Sequence, residues 1–267
     1  MSRGLEQKTV LEQWQWTPAL ADLLRYPFPG AAQIESNHSQ AFQDIFVLSM
    51  LDGMTHGWYL EVGAHHPVRN NNTHLLHTSY GWSGVSIDID PKYSSKWRKR
   101  RPRSTLRIAD ALKLDYAAAL PSWFDAQPSA SPWTRWLGRE KRSAPLHDPR
   151  RIDYLQLDIE PSIHTLDVLN VLPLDSYRFS VITFETDAYA GDLRARDRSR
   201  ECLTKHGYEL IAADVSVLYP PVSEDLIPFE DWWVDPQVVS RARILALRSA
   251  GAESRMGCPP QRLLFSI

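Results

Sequence analysis

Acidic residues stand at or near the ends of several apolar runs in this sequence. They are Glu61, Asp88, Asp90, Asp110, Asp158, Glu160, Glu185 and Asp187. A carboxylate can accept hydrogen bonds from hydroxyl groups, take up a proton during a reaction, or bind a hard cation. If the runs are parallel strands, these acids share the sheet edge at which ligands bind in open α/β proteins. The pattern predicts one acid-lined crevice, and solvated strand ends are the alternative.

Strand-like runs alternate with helix-like segments along most of the chain. The predicted strands are 58–63, 84–91, 106–110, 152–158, 179–185 and 208–211. The predicted helices are 39–54, 73–80 and 92–101, with Ser39 placed to cap the first of them. Repeated strand and helix units favour an α/β fold, with a mostly parallel sheet covered on both faces.

Asp88 is placed to bind the ribose of a nucleoside ligand. It follows Gly63 by 25 residues, close to the spacing of about 20 seen between a glycine turn and the ribose carboxylate. The turn itself, Gly63-Ala64-His65-His66-Pro67, lacks the G-x-G-x-x-G series that admits a pyrophosphate. This argues against NAD or FAD and favours S-adenosylmethionine, the commonest nucleoside cofactor without a diphosphate.

Several segments, in this order and spacing, resemble the FkbM-type methyltransferases. The segments are Ser39-Gln40, Gln43-Asp44, 61–67, Asn72-Thr73, 81–88, 152–160, Gly207-Tyr208 and 230–234. The resemblance spans roughly residues 39–235. It implies a Rossmann-like class I methyltransferase fold with a mainly parallel, seven-stranded sheet and S-adenosylmethionine as cofactor. It also implies O-methylation of a hydroxyl on a sugar, a glycolipid or a secondary metabolite.

The resemblance further implies roles for individual residues. It places Glu61 and Gly63 at the methionine end of the cofactor and Asp88 at the ribose hydroxyls. It places Asp110 near the adenine amino group and Asp158 beside the methyl group. The chain departs from the family at three positions, because the family often has Gly at the positions of Pro67 and Pro161 and Asn at that of His65. Proline fixes φ and removes a donor, so the first turn and the catalytic loop are expected to differ in shape.

Methyl transfer to a hydroxyl needs an aligned acceptor and the removal of one proton. A carboxylate or a histidine removes such a proton, so the catalytic candidates are Asp158, Glu160 and Glu185, followed by His164. Alternatively, Asp158, Glu185 and Asp187 bind a divalent cation such as Mg²⁺. Zinc is disfavoured, because no cysteine accompanies the histidines that would suit it: His65, His66, His74 and His77.

The predicted organisation is a methyltransferase domain over residues 39–250 with segments added to it. A helical extension occupies residues 1–38, and a tail occupies residues 251–267. A Trp-, Pro- and Arg-rich insertion at about 121–150 breaks the strand and helix pattern and is predicted to be a lid.

The overall composition favours a globular protein, and the resemblance implies a small-molecule or saccharide acceptor. Lys and Arg total 30 against 32 Asp and Glu, a net charge of −2, which predicts neither a nucleic acid partner nor an anionic membrane. The N-terminus lacks the apolar core of a signal peptide, and the two cysteines, Cys202 and Cys258, fit a reducing compartment, so a cytoplasmic protein is expected. The basic run Lys96–Arg103 is predicted to be a solvated helix face or a contact for a phosphorylated substrate. The oligomeric state is left open.

Two other functions are compatible with these features. A nucleotide-dependent oxidoreductase or sugar-nucleotide enzyme would use the same ribose carboxylate, but the missing glycines disfavour it. A catalytically inactive binding module on the same fold is the second alternative, and Pro67 and Pro161 favour it.

Overall fold

Seven strands of the described residues form one sheet in this computed structural model. The described residues are 15–125, 150–219, 222–251 and 258–266. The strands are β1 (Trp58–Val62), β2 (Ser83–Asp88), β3 (Thr105–Ile108), β4 (Arg151–Leu157), β5 (Arg178–Glu185), β6 (Glu209–Leu218) and β7 (Leu226–Val234). Their order across the sheet is β3-β2-β1-β4-β5-β7-β6.

Six of these strands point the same way, and β7 is reversed. Strands β3, β2, β1, β4 and β5 pair in parallel. Strand β7 lies antiparallel between β5 and β6. This is the Rossmann-like fold of the class I methyltransferases. The prediction of a mainly parallel, seven-stranded α/β sheet is therefore confirmed, with one antiparallel hairpin added at its end.

Eight α-helices of the described residues cover the sheet. They are α1 (Gln43–Met50), α2 (His74–Ser79), α3 (Ser94–Arg100), α4 (Tyr116–Asp125), α5 (Ser162–Val171), α6 (Arg194–Lys205), α7 (Arg241–Gly251) and α8 (Pro260–Leu264). None of the helices in the described part of the chain is long and apolar enough to cross a membrane.

Helix α1 is shorter than the predicted helix over 39–54. Phe42, at its N-cap, has left-handed backbone angles (φ 63°), so the helix begins only at Gln43. Ser39 does not cap it, because the Ser39 hydroxyl donates to the Asp44 carboxylate instead, at 2.6 Å. The first turn is thus fixed by a buried acid inside the helix.

Hydrophobic cores lie on both faces of the sheet. Adjacent residues of β4 show this, since Tyr154 belongs to one buried cluster and Leu155 to the other. The first cluster includes α1, α7 and α8 together with the segment before α1, whose Trp16 is 2% exposed and donates to the Ile34 carbonyl. Both faces of the sheet are therefore covered, and a ligand-binding site is expected at the carboxyl ends of the parallel strands.

The segment predicted as a lid starts later than residue 121. Pro121 lies inside α4, because the burial of Leu120 and Trp123 against the sheet offsets the hydrogen bond that a proline cannot donate. The rest of the predicted insertion, residues 126–149, lies outside the described residues, as do residues 1–14 of the predicted extension and 252–257 and 267 of the predicted tail.

Candidate functional site

The carboxyl ends of four neighbouring strands are joined by backbone hydrogen bonds. The amides of Gly63 and Ala64, after β1, both donate to the Ile87 carbonyl of β2. The Asp158 amide, after β4, donates to Val62 of β1. The Ala109 amide, after β3, donates to the Asp88 carbonyl of β2. The structure therefore brings Gly63, Asp88, Asp110 and Asp158 to one sheet edge, as predicted from the alternation of strands and helices.

Gly63 makes the closest approach at this edge. Its φ is +85°, and a β-carbon built on it would lie 1.6 Å from the Asp158 carbonyl oxygen. No residue with a side chain fits there, because the position combines a left-handed backbone with a direct overlap. The turn after β1 can thus pass directly over the end of β4.

Asp88 lies half-buried at the end of β2 and is held by backbone donors. One carboxylate oxygen accepts from the His65 amide at 2.6 Å and the other from the Asp90 amide at 2.8 Å. Each oxygen keeps a further lone pair for a hydroxyl donor, so the arrangement suits a diol such as a ribose.

Asp110 follows β3 at the far side of the same edge. Its carboxylate accepts from the Leu112 amide at 3.1 Å and pairs with the Lys113 ammonium at 3.0 Å. The bonds from Lys113 and Leu112 lower the pKa of Asp110. The Tyr116 hydroxyl is buried without a hydrogen-bond partner among the described residues, and its burial, with the nearby charge of Asp110, raises the pKa of Tyr116.

Glu61 differs from the other predicted site residues because it lies under the loop after β1. It is 1% exposed, and its carboxylate accepts from Asn71 at 2.9 Å, from Thr73 at 3.1 Å and from Ser86 at 2.6 Å. Burial raises the pKa of Glu61, while the charge of Arg101 and these three bonds oppose the rise. Its side chain therefore supports the loop from below.

Arg101 is the residue that the sequence-based interpretation missed. The run Lys96–Arg103 was predicted to be a solvated face, and Lys96, Lys99 and Arg100 are indeed exposed. Arg101, however, is 1% exposed. A buried arginine cannot be distinguished from exposed ones within a run of basic residues. Which side chain turns inward depends on where the last turn of α3 lies over the loop.

Four carboxylates meet after β4 and β5. The side chains of Asp158 and Glu185 lie close enough to influence each other's pKa, and a hydrogen bond between two carboxyl groups requires a proton on one of them. Burial, with the charges of Asp158, Asp187 and Glu160, raises the pKa of Glu185 far above its ordinary value. Burial also raises the pKa of Asp158, but the bond from Glu185 and the nearby His65 oppose it. These causes favour a proton on Glu185 over one on Asp158.

Three of these carboxylates form a potential cation site. Oxygen atoms of Glu160, Glu185 and Asp187 all lie within 4.8 Å of one another. Glu160 is exposed, whereas burial and the neighbouring charges of Glu160 and Asp158 raise the pKa of Asp187 to about 6. This grouping contains Glu160 in place of Asp158, so the predicted set of Asp158, Glu185 and Asp187 stays a prediction beside it.

Two of the histidines near the loop pack against each other. His38 and His74 are in edge-to-face contact, with ring centroids 4.3 Å apart. Burial lowers the pKa of His74 to about 3 and that of His77 to about 4. Among the described residues, the grouping of three metal-ligand side chains is the carboxylate one, and no histidine belongs to it.

Comparison with known proteins relates the chain to others through its fold. No protein-family model matches the chain, and no curated protein matches it. Among solved structures, the 23S rRNA methyltransferase ErmE superposes with a TM-score of 0.42 at 14% identity, covering 79% of this chain and 74% of that one. Precorrin-6y C5,15-methyltransferase from Geobacter metallireducens gives 0.39 at 15% identity, covering 71% and 85%.

A third solved structure, a TehB-like S-adenosylmethionine-dependent methyltransferase from Corynebacterium glutamicum, has a TM-score of 0.38 at 13% identity. The superposition covers 77% of this chain and 91% of that protein's chain. At such identities and TM-scores, the assignment of the fold rests on the strand order of this chain itself. The resemblance to the FkbM-type family stays a prediction.

Proposed function

We propose that the protein transfers a methyl group from S-adenosylmethionine to a hydroxyl of a small acceptor such as a sugar, a glycolipid or a secondary metabolite. The observation that carries this proposal is the Asp88 carboxylate at the end of β2, beside the Gly63 turn of a class I methyltransferase fold. A carboxylate there suits ribose hydroxyls, and the absence of further glycines from the turn argues against a diphosphate.

The donor set of this edge fits the cofactor. Asp88 would accept both ribose hydroxyls, Asp110 would accept from the adenine amino group, and the Gly63 turn would receive the methionine end. A methyl group on a sulfonium is already activated, which is the chemistry that the cofactor supplies when bound. The Pro67 carbonyl accepts from Arg101 at 3.3 Å in the buried part of the loop.

Asp158 is the proton acceptor in this proposal. It lies next to the Gly63 turn, and Glu185 stabilises its negative charge by donating a hydrogen bond. A protonated Glu185 cannot itself accept a proton, so the earlier candidate Glu185 becomes the residue that holds and orients Asp158. Glu160 is exposed at the mouth, and general base catalysis needs a group within hydrogen-bond reach of the acceptor.

As an alternative to the proton on Glu185, a divalent cation such as Mg²⁺ would bind at Glu160, Glu185 and Asp187 and displace that proton. Their oxygens are hard ligands, and Glu185 Oε2 is buried without a hydrogen-bond partner among the described residues. A cation there would orient an acceptor diol. An increase in the thermal midpoint on adding Mg²⁺, absent in Glu160→Gln, would assign the metal; equal midpoints in Mg²⁺ and in chelator would exclude it.

The first test is calorimetric titration of the purified protein with S-adenosylhomocysteine, alongside NAD⁺, in the presence of Mg²⁺ and of a chelator. Micromolar binding of S-adenosylhomocysteine alone supports the methyltransferase proposal. Binding of NAD⁺ alone supports the nucleotide-dependent oxidoreductase alternative. Binding of neither overturns the proposal and leaves an inactive binding module on this fold, as does cofactor binding without turnover on a broad panel of hydroxyl acceptors.

A further inference from the structure

The loop between β1 and α2, residues 63–73, is held by side chains rather than by glycines. It contains a single glycine, Gly63, yet His65 and Asn70 also have positive φ, at 43° and 49°. Residues with a β-carbon adopt this conformation at a cost, and they keep it only where their surroundings determine it. Some other part of the chain must therefore hold the loop in shape.

Arg101 contacts this loop at three residues, Pro67, Asn71 and Thr73. One guanidinium nitrogen, Nη1, donates to Asn71 Oδ1 at 2.8 Å and to the Pro67 carbonyl at 3.3 Å. The other, Nη2, donates to Thr73 Oγ1 and to the Tyr59 hydroxyl, both at 2.7 Å. A single planar group thus ties the middle of the loop, its end and strand β1 together.

The neighbouring residue Trp97 holds the beginning of the same loop. Its indole Nε1 donates to the His65 carbonyl at 2.9 Å, and its ring lies 4.9 Å from the Arg101 guanidinium carbon. The His65 amide in turn donates to Asp88. Trp97 of α3 thus contacts the beginning of the loop, and Arg101, the residue after α3, contacts its middle and end. The shape of the Gly63 turn depends on this contact.

Glu61 holds the loop from the opposite side. Asn71 and Thr73 donate to the Glu61 carboxylate and accept from the Arg101 guanidinium, so the two side chains lie between the two charges. Buried charge pairs contribute little to stability compared with apolar residues of the same volume. A fixed fork of five donors is what arginine offers and lysine does not.

We propose that Arg101 is a positioning residue, which sets the shape of the loop over residues 63–73 and through it the pocket for the methionine end of the cofactor. This inference rests on the proposed function for its second half only. It predicts that loss of the guanidinium fork weakens ligands that reach the loop and spares ligands that occupy the adenosine end alone.

The test compares two ligands and three variants. Arg101→Lys keeps the charge, Arg101→Met combined with Glu61→Gln removes both charges, and Arg100→Lys is the matched control at the exposed neighbour. The ligands are S-adenosylhomocysteine and 5′-methylthioadenosine, which lacks the amino acid part. We expect both Arg101 variants to bind S-adenosylhomocysteine at least about tenfold more weakly than the wild-type protein, a loss of about 1.4 kcal/mol of binding free energy. Their affinity for methylthioadenosine should be nearly unchanged. Equal losses for both ligands would show a merely structural role and overturn the inference.

Hydrogen–deuterium exchange tests the loop without any ligand. In both Arg101 variants, we expect peptides covering residues 63–73 to exchange about tenfold faster or more, with β4 and β5 unaffected. Unchanged exchange in the loop overturns the inference whether or not the cofactor binds. If the wild-type protein binds neither nucleoside while exchange of the loop rises in the variants, the proposed function fails, and the role of Arg101 in shaping the loop stands.

Discussion

The carbonyl oxygen of Asp158 occupies the space that a β-carbon on Gly63 would need, at 1.6 Å from the built position. The Asp158 amide donates to the Val62 carbonyl, so the residue that contacts Gly63 is also tied to the end of β1. The turn proposed for the cofactor and the residue proposed to take the proton are therefore parts of one rigid junction between β1 and β4. A shift of either one moves the other.

Gly63→Ala is expected to disrupt this junction. We expect the free energy of unfolding to fall by about 2 kcal/mol or more, because the left-handed backbone strain adds to a direct overlap. Gly191→Ala is the control, since Gly191 has φ +88° and no atom within 4 Å of a built β-carbon; it should cost about 1 kcal/mol. Urea unfolding of both variants measures this. Equal costs would show that the contact with Asp158 is not limiting.

Asp88→Ala is expected to weaken S-adenosylhomocysteine binding about tenfold or more, because two charge-assisted hydrogen bonds to the ribose are lost. The control is Asp90→Ala, two residues further on, where the exposed carboxylate accepts from the Lys92 amide. Calorimetry on both folded variants gives the comparison, with unchanged affinity expected for the control. A folded Asp88→Ala protein with wild-type affinity would remove Asp88 from the site.

The acids at the ends of β2, β4 and β5 could be predicted because strand ends carry a local signal. An apolar run followed by an acid identifies Asp88, Asp158 and Glu185 without knowledge of the tertiary structure. Burial of Glu61 and Arg101 could not be predicted in this way. Their inward position depends on Asn71, Thr73 and the approach of α3, which are contacts between segments far apart in sequence.

Strand β7 was also not predicted, for a physical reason. Its sequence includes Pro228, Glu230 and Asp231, which are typical of loops rather than of a buried strand. Both acids are buried because each finds a partner: Glu230 accepts from Trp232 Nε1, and Asp231 accepts from Arg200 Nε at 2.7 Å. Partners contributed by the folded state outweigh the local propensity.

Buried Glu230 is expected to make stability fall as the pH rises. Burial raises the pKa of Glu230 from 4.5 to about 8. The folded protein therefore holds a proton that the unfolded chain releases, and its stabilising effect, complete below pH 4.5, is lost progressively up to pH 8. Glu230→Gln retains an acceptor for Trp232 and for Gln43, so it should remove this pH dependence, which is at most about 1.4 kcal/mol per pH unit. Urea midpoints between pH 4.5 and 8 measure it, and parallel curves would contradict it.

The proton on Glu185 leads to opposite expectations for the two members of its pair. Glu185→Gln reproduces the protonated side chain and can still donate to Asp158, so S-adenosylhomocysteine affinity should stay within about threefold. The pKa of Glu185 is higher in the folded protein than in the unfolded chain, so the wild-type protein loses stability as the pH rises above the unfolded-state pKa. Glu185→Gln should therefore be more stable to heat than the wild-type protein at pH 8, and no more stable than it at pH 4.

Asp158→Asn should instead remove the proton acceptor and lower turnover on a responsive hydroxyl acceptor by about 100-fold or more, with cofactor affinity retained.

The decisive measurement for this pair is the thermal midpoint of Glu185→Gln between pH 4 and pH 8, since it needs no acceptor. A variant that is less stable than the wild-type protein at pH 8 would mean that Glu185 is ionised in the folded state. In that case the assignment of Asp158 as the base would lose its support, because two neighbouring carboxylates would both be charged and Glu185 would be the stronger candidate.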